Sequence, residues 1–181
     1  MDISGQAPLP KTEKKRSKNE CNIRPYVLDD IPFLCAGAKK YIPELPNYKN
    51  ITISEKRLDY LLRHNHGSAS HFQCWVLVDN VTNELVGAGA GYCVPGMVTF
   101  DLVANDTFLF VHPEWRSMRN VVMLMTAYKQ WAMARGAKMI MATHTGGYRV
   151  GAMNEIMRRQ GYVEAGFQWM LRLDDAYLNR A

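Results

Sequence analysis

Arg116 and Arg119 stand three residues apart, just after an apolar run and a proline and just before a long stretch that mixes apolar and polar residues. A guanidinium grips phosphate oxygens two at a time and is charged at any ordinary pH. If the residues after Arg116 open a helix, its first backbone N–H groups lack intrahelical partners and point at one spot. Such a turn suits the capture of a phosphate-bearing anion. A solvated basic turn on an ordinary α/β domain would use the same residues, so the turn alone leaves both readings open.

The flanking sequence supplies the elements that would hold these groups. Residues 108–111 are apolar and rich in β-formers, which suits a short buried strand. Pro113 cannot donate to a sheet ladder, so the strand should end near His112. A helix should begin close to Arg119 or Asn120. Val121, Leu124, Met125, Tyr128, Trp131 and Ala132 recur at spacings of three and four and so share one face. Gly136 marks the stop, with Arg135 in the last turn to complement the helix dipole.

The chain of 181 residues, 48% hydrophobic and 22% charged, has the makeup of one globular domain. Part of the formal net charge of +5 is local: Lys11, Lys14, Lys15, Arg16 and Lys18 crowd into residues 1–20. With almost nothing to bury, residues 1–20 should form a flexible basic tail, and 21–181 a single domain. The tail reads either as a solvated leader or as an arm for an anionic partner such as nucleic acid. Cys21, Cys35, Cys74 and Cys93 lack metal-site spacing, and His64 and His66 have no matching pair, so no metal is expected. Free thiols in apolar contexts suit a reducing cytoplasm, and no apolar run reaches the roughly 18 residues of a membrane span. A soluble, cytoplasmic protein with no membrane association is the expectation.

Residues 22–26 suit an edge strand, and Asp29, Asp30 and Pro32 suit a helix start. Ser54 should cap a second helix carrying Leu58, Leu61 and Leu62. Residues 72–78 and 85–92 read as a hairpin, with Gly87, Gly89 and Gly91 on one face of its second strand. Those glycines admit either a close-lying ligand or a helix packed tightly against the strand. Residues 98–103 begin the next strand, and 104–106 are expected to kink it. After the long helix come a strand at 139–143, a helix carrying Val150, Met153, Ile156 and Met157, a stop at Gly161, and closing strands at 162–167 and 169–173. The predicted fold class is α/β: a mixed, mostly antiparallel twisted sheet of six to seven strands with helices on both faces.

Val111-x-Pro113-Glu114-Trp115-Arg116, the amphipathic helix, Gly136, a short strand, a second helix and Gly161-Tyr162 together resemble the Gcn5-related N-acetyltransferase (GNAT) superfamily. The likeness covers roughly residues 22–173 and is greatest to divergent acetyltransferase-like proteins of bacteriophages. The family's turn, Arg/Gln-x-x-Gly-x-Gly/Ala, falls on residues 116–121, with Arg119 and Val121 in place of the two glycines. The resemblance implies acetyl-CoA as co-substrate and an amine of a small molecule or a protein as acceptor. It implies a pyrophosphate cradle at Arg116, Ser117, Met118, Arg119, Asn120 and Val121, and backbone donors for the thioester and pantetheine at Phe110 and Val111. A non-glycine residue held in a left-handed state would cost about 1–2 kcal/mol, so the turn is expected to follow another path or to grip phosphate through Arg119.

The family's tyrosine acid falls on Met157 and its helix-start asparagine on Gly151. Asp106, His112, His144 and Tyr148 are therefore the catalytic candidates, with Glu114 a further carboxylate. A second reading is a catalytically silent binding or inhibitory module, phage-encoded and directed at a host protein. The aromatic C-terminal segment, with Phe167, Trp169 and Tyr177, would allow a homodimer.

Overall fold

A computed structural model describes residues 21–45, 48, 51–68, 71–143 and 149–164. Five strands form one sheet in the order β1 (Cys21–Pro25), β2 (Phe72–Asp79), β3 (Leu85–Pro95), β4 (Leu102–Val111) and β5 (Met139–Met141). The first three pairings are antiparallel and the β4–β5 pairing is parallel. The helices are α1 (Ile31–Tyr41), α2 (Glu55–Asn65), α3 (Met118–Ala134) and α4 (Val150–Arg159). No described helix is long and apolar enough to cross a membrane.

Hydrophobic side chains line both faces of the central strands, and helices cover each face. On one side Ile31, Leu34 and Cys35 of α1 and Leu62 of α2 pack on Cys74, Val76, Ala88 and Ala90. On the other, Leu124, Tyr128 and Ala132 of α3 pack on Trp75, Leu77, Val86 and Val111. Each face receives two of the four cysteines, all free and buried. Burial pushes the Cys74 thiol up to about 12 and raises the other three as well.

The glycine face of β3 lies against α3. A Cβ added at Gly91 would land on the Tyr128 ring, whereas one at Gly89 would meet Leu124 at an ordinary 3.6 Å. Tight helix packing therefore explains Gly91, whereas at Gly87 a Cβ would meet the Phe110 carbonyl oxygen of β4 at 2.9 Å.

Residues 104–106, expected to kink, pair regularly within one continuous strand, and the irregularity is a β-bulge just after them. Ala90 pairs with Phe108 and Gly91 with Asp106, so Thr107 is an extra residue on β4. The sheet has five strands among the described residues, against the six to seven expected. Tyr162, Val163 and Glu164 lie outside any strand, and the rest of the predicted closing pair falls outside the described residues, as does the tail at 1–20.

At the start of α1, Arg24 donates to both oxygens of Asp30, at 2.7 and 3.0 Å, and the Val27 amide donates to the same carboxylate at 2.8 Å. Burial pushes the Asp30 carboxyl up, but the Arg24 hydrogen bonds, the Val27 amide and the Arg24 charge outweigh it and hold the group below its ordinary value.

Two predictions follow from these contacts. Gly91→Ala should destabilise the fold by about 1–3 kcal/mol through overpacking, while Gly89→Ala should cost far less; urea unfolding of both variants checks this. Asp30 contributes stability that is complete above the unfolded aspartate value of about 3.9 and is lost as pH falls through the lower folded value. The stability gap between wild type and Asp30→Asn should therefore narrow from pH 7 toward pH 3.

Candidate active site

The parallel ladder between β4 and β5 runs through Val103–Met139, Ala104–Ile140 and Asn105–Met141, and then ends. Beyond Asn105, no strand among the described residues pairs with the outer edge of β4. On the inner edge the His112 amide donates to Val86 O at 2.8 Å. Successive residues of an antiparallel strand turn their amides to opposite edges. The amides of Phe108 and Phe110 therefore face β3 with that of His112, and those of Leu109 and Val111 face the open edge. Of the expected pair of donors, Val111 lies on the open side and Phe110 on the paired side. Leu109 joins Val111; the two-residue alternation was the signal that could have found it.

A short 3-10 turn, Pro113–Trp115, carries the chain from β4 to α3. The helix opens at Met118, one or two residues earlier than predicted, because Ser117 caps it: Ser117 Oγ accepts from the Asn120 amide at 3.2 Å. Ser117 O accepts from the Val121 amide at 3.2 Å. The amides of Met118 and Arg119 have no such partner among the described residues.

Asn120 is fully buried, and its Nδ2 donates to Trp115 O at 2.8 Å, so its side chain braces the turn from inside. Arg116 is half-buried, and its Nε donates to Val111 O at 3.0 Å, which ties the helix entry to the open edge of β4. Arg119 is exposed at the helix start.

The two replaced glycines cause no backbone strain. Arg119 and Val121 lie within the first turn of α3, and among the described residues the non-glycine ones with positive φ are Asn83 and Arg149. The left-handed state considered for positions 119 and 121 does not arise.

The catalytic candidates separate. Asp106 pairs with Gly91, on the α3 face, at the point where β4 and β5 part. Its Oδ1 accepts from the Thr143 amide at 2.9 Å and from Thr143 Oγ1 at 3.1 Å. Burial pushes the Asp106 carboxyl up, the Thr143 bonds offset part of that, and the net value lies above the ordinary carboxylate range. His112 faces the opposite side of the sheet, edge-on to the Tyr41 ring at 5.5 Å, and Tyr41 stacks on Phe110 at 4.8 Å. The His112 Nδ1 atom is buried without a hydrogen-bond partner among the described residues. Glu114 is exposed on the 3-10 turn. His144 and Tyr148 lie outside the described residues. Met157 is half-buried on α4, and the backbone amide of Tyr162 donates to its carbonyl at 3.0 Å.

Comparison with known proteins bears on the family and the fold. The sequence profile of the acetyltransferase (GNAT) family matches residues 40–162. No curated protein matches the chain. Among solved structures, the fold is similar to a predicted acetyltransferase from Clostridium acetobutylicum solved with acetyl-CoA, at 14% identity and a TM-score of 0.66, covering 84% of this chain and 96% of that one. It is also similar to an aminoglycoside acetyltransferase from an uncultured soil metagenomic sample in complex with sisomicin, at 19% identity, a TM-score of 0.62 and coverage of 86% and 98%. A third is glucosamine-6-phosphate N-acetyltransferase from Arabidopsis thaliana, at 11% identity, a TM-score of 0.62 and coverage of 85% and 99%. At these identities the likeness establishes a shared α/β fold with a mixed sheet.

Proposed function

The chain belongs to the acetyltransferase (GNAT) family, and from that premise we propose that it binds acetyl-CoA and transfers the acetyl group to an amine of a small molecule or protein. The observation that carries the reading is the outer edge of β4, where the amides of Leu109 and Val111 have no strand partner among the described residues. In this reading those amides hold the thioester oxygen and the pantetheine arm, and fixed donors of this kind can contribute a hundredfold or more in rate. The free amides of Met118 and Arg119, with the Arg119 guanidinium, take the pyrophosphate. Arg116 holds the strand end in place for both.

Asp106 serves as the base that takes the amine proton, since a carboxyl with a raised value sits nearer the working pH. The reading carries with it a cytoplasmic setting, the host's if the protein is phage-encoded. The silent-module alternative keeps one support, Met157 in place of a proton-donating tyrosine. The replaced glycines no longer favour it, because positions 119 and 121 are unstrained.

Calorimetric titration should show acetyl-CoA binding to the wild-type protein, and Arg116→Ala should weaken it about tenfold or more, the scale of a hydrogen bond to a charged group. Absence of binding by folded wild type at high micromolar ligand would defeat the proposal. A base must be ionised to act, so turnover should fall as pH drops through the raised Asp106 value. The acid limb of the rate profile should thus lie above the ordinary aspartate value of about 3.9, and Asp106→Asn should abolish that limb along with most of the rate.

A further inference from the structure

The hairpin joining β3 to β4 ends in an apolar finger. Met97, Val98 and Phe100 are 102%, 96% and 100% exposed. The turn that presents them is firmly held. The Gly96 amide donates to Asp101 O at 3.0 Å, the Thr99 amide to Gly96 O at 3.3 Å and the Asp101 amide to Thr99 Oγ1 at 3.1 Å. A Cβ at Gly96 would press on Thr99 Cγ2 at 2.6 Å, so the turn is built around that glycine. A second apolar surface lies at the base of the finger. Cys93 and Ala104 belong to the core on the α3 side, and Ile140 packs with them. Their neighbours along each strand turn to the opposite face. The pairing sets Val94, Val103 and Met139 in one row and Tyr92, Asn105 and Met141 in the next. Elsewhere on that face α1 and α2 pack over Cys74, Val76, Ala88 and Ala90. Here it is open to solvent: Tyr92 is 41%, Met139 56% and Met141 42% exposed.

Apolar surface of this extent marks an interaction site. We propose that its occupant is a second copy of this chain, in a two-fold pair in which the finger of each copy lies on the open sheet face of the other. Pro95 and Leu102 pair at the base of the finger. Val98 stands as far beyond Pro95 in the chain as Tyr92 stands before it, about 10 Å of strand in each direction. A two-fold axis running across the strands at this base therefore carries Val98 of one copy onto the Tyr92 row of the other, and the converse, as a self-complementary contact requires. The charges match as well. Asp101 is the charged residue of the finger, and it comes to rest over the partner's Val103–Met139 row. The exposed Lys138, whose amide donates to Leu102 O at 2.9 Å, borders that row. A stable pair buries roughly 800 Å² on each partner. Three side chains fall short of that, whereas finger and sheet face buried together are of that order. Each tip then lies beside the last row that joins the partner's β4 and β5.

Light scattering after gel filtration should give wild type twice the mass of one chain at micromolar concentration. Phe100→Ser should raise the dissociation constant about thirtyfold or more, the scale of an aromatic anchor at an interface centre, and leave the circular dichroism spectrum unchanged. Asp101→Lys should weaken the pair, and adding Lys138→Asp to it should restore the pair. The four native thiols are buried. A mixture of Val98→Cys and Tyr92→Cys proteins should therefore form disulfide-linked pairs on mild oxidation, and neither protein alone should. Wild type that stays monomeric at high micromolar concentration overturns the proposal, whether or not it cosediments with anionic lipid vesicles. A dimer that persists unweakened in Phe100→Ser overturns it too, as does a cysteine mixture that links no faster than either protein alone.

Discussion

β5 pairs with β4 over three residues and then leaves it, and most of what is distinctive in the molecule follows from that short ladder. A continued pairing would satisfy the outward amides of Leu109 and Val111 and close the sheet. The chain instead inserts Thr107 as a bulge on the β3 side, which bends the strand, and ends the parallel ladder at Asn105. Backbone donors left without partners near a core are unfavourable, so the surrounding structure must hold them in place. It does so with Leu124 and Tyr128 packed close on the glycine face of β3 and with Arg116 bonded to the carbonyl of Val111. Arg116 lies just before the cap of α3, so its bond to Val111 O ties the sheet edge to the helix mouth.

Much of the frame was legible because it is written in local chemistry. Two apolar runs around a turn marked β2 and β3 as a hairpin, period-three-and-four spacing marked α3, and Ser54 and Gly136 marked helix ends as side-chain cap and left-handed stop. What escaped depends on pairing partners. The Thr107 bulge is a mismatch between two strands and leaves no trace in either one alone, so residues 104–106 read as a kink. The inward turn of Asn120 follows from Ser117 taking the cap position, which shifts the helix start and points the amide side chain at Trp115 O. Tyr162 read as part of a closing strand because an aromatic after glycine has ordinary β character; it follows α4 through Gly161 outside any strand, with its hydroxyl buried. His144 and Tyr148 lie outside the described residues.

The turn at residues 116–121 shows why a lost glycine must be judged by its backbone state. Glycine is indispensable where φ is positive or where a neighbour leaves no room for Cβ. Arg119 and Val121 do not meet the first condition, since both lie in ordinary helical conformation. The same standard marks Gly91 as a position that tolerates no side chain, although its φ is unremarkable, because the Tyr128 ring fills the space. Motif letters and conformational need thus point to different glycines in this chain.

The sealed thiols give the molecule an internal reporter of its own breathing. Cys21 and Cys93 lie under α3, and Cys35 and Cys74 under α1 and α2, with none more than 6% exposed. Alkylation requires a thiolate in contact with solvent, so in the closed molecule all four are silent. Each pair becomes reactive only when its own helical layer lifts from the sheet, and the order in which mass labels accumulate distinguishes opening of the α3 layer from opening of the α1–α2 layer.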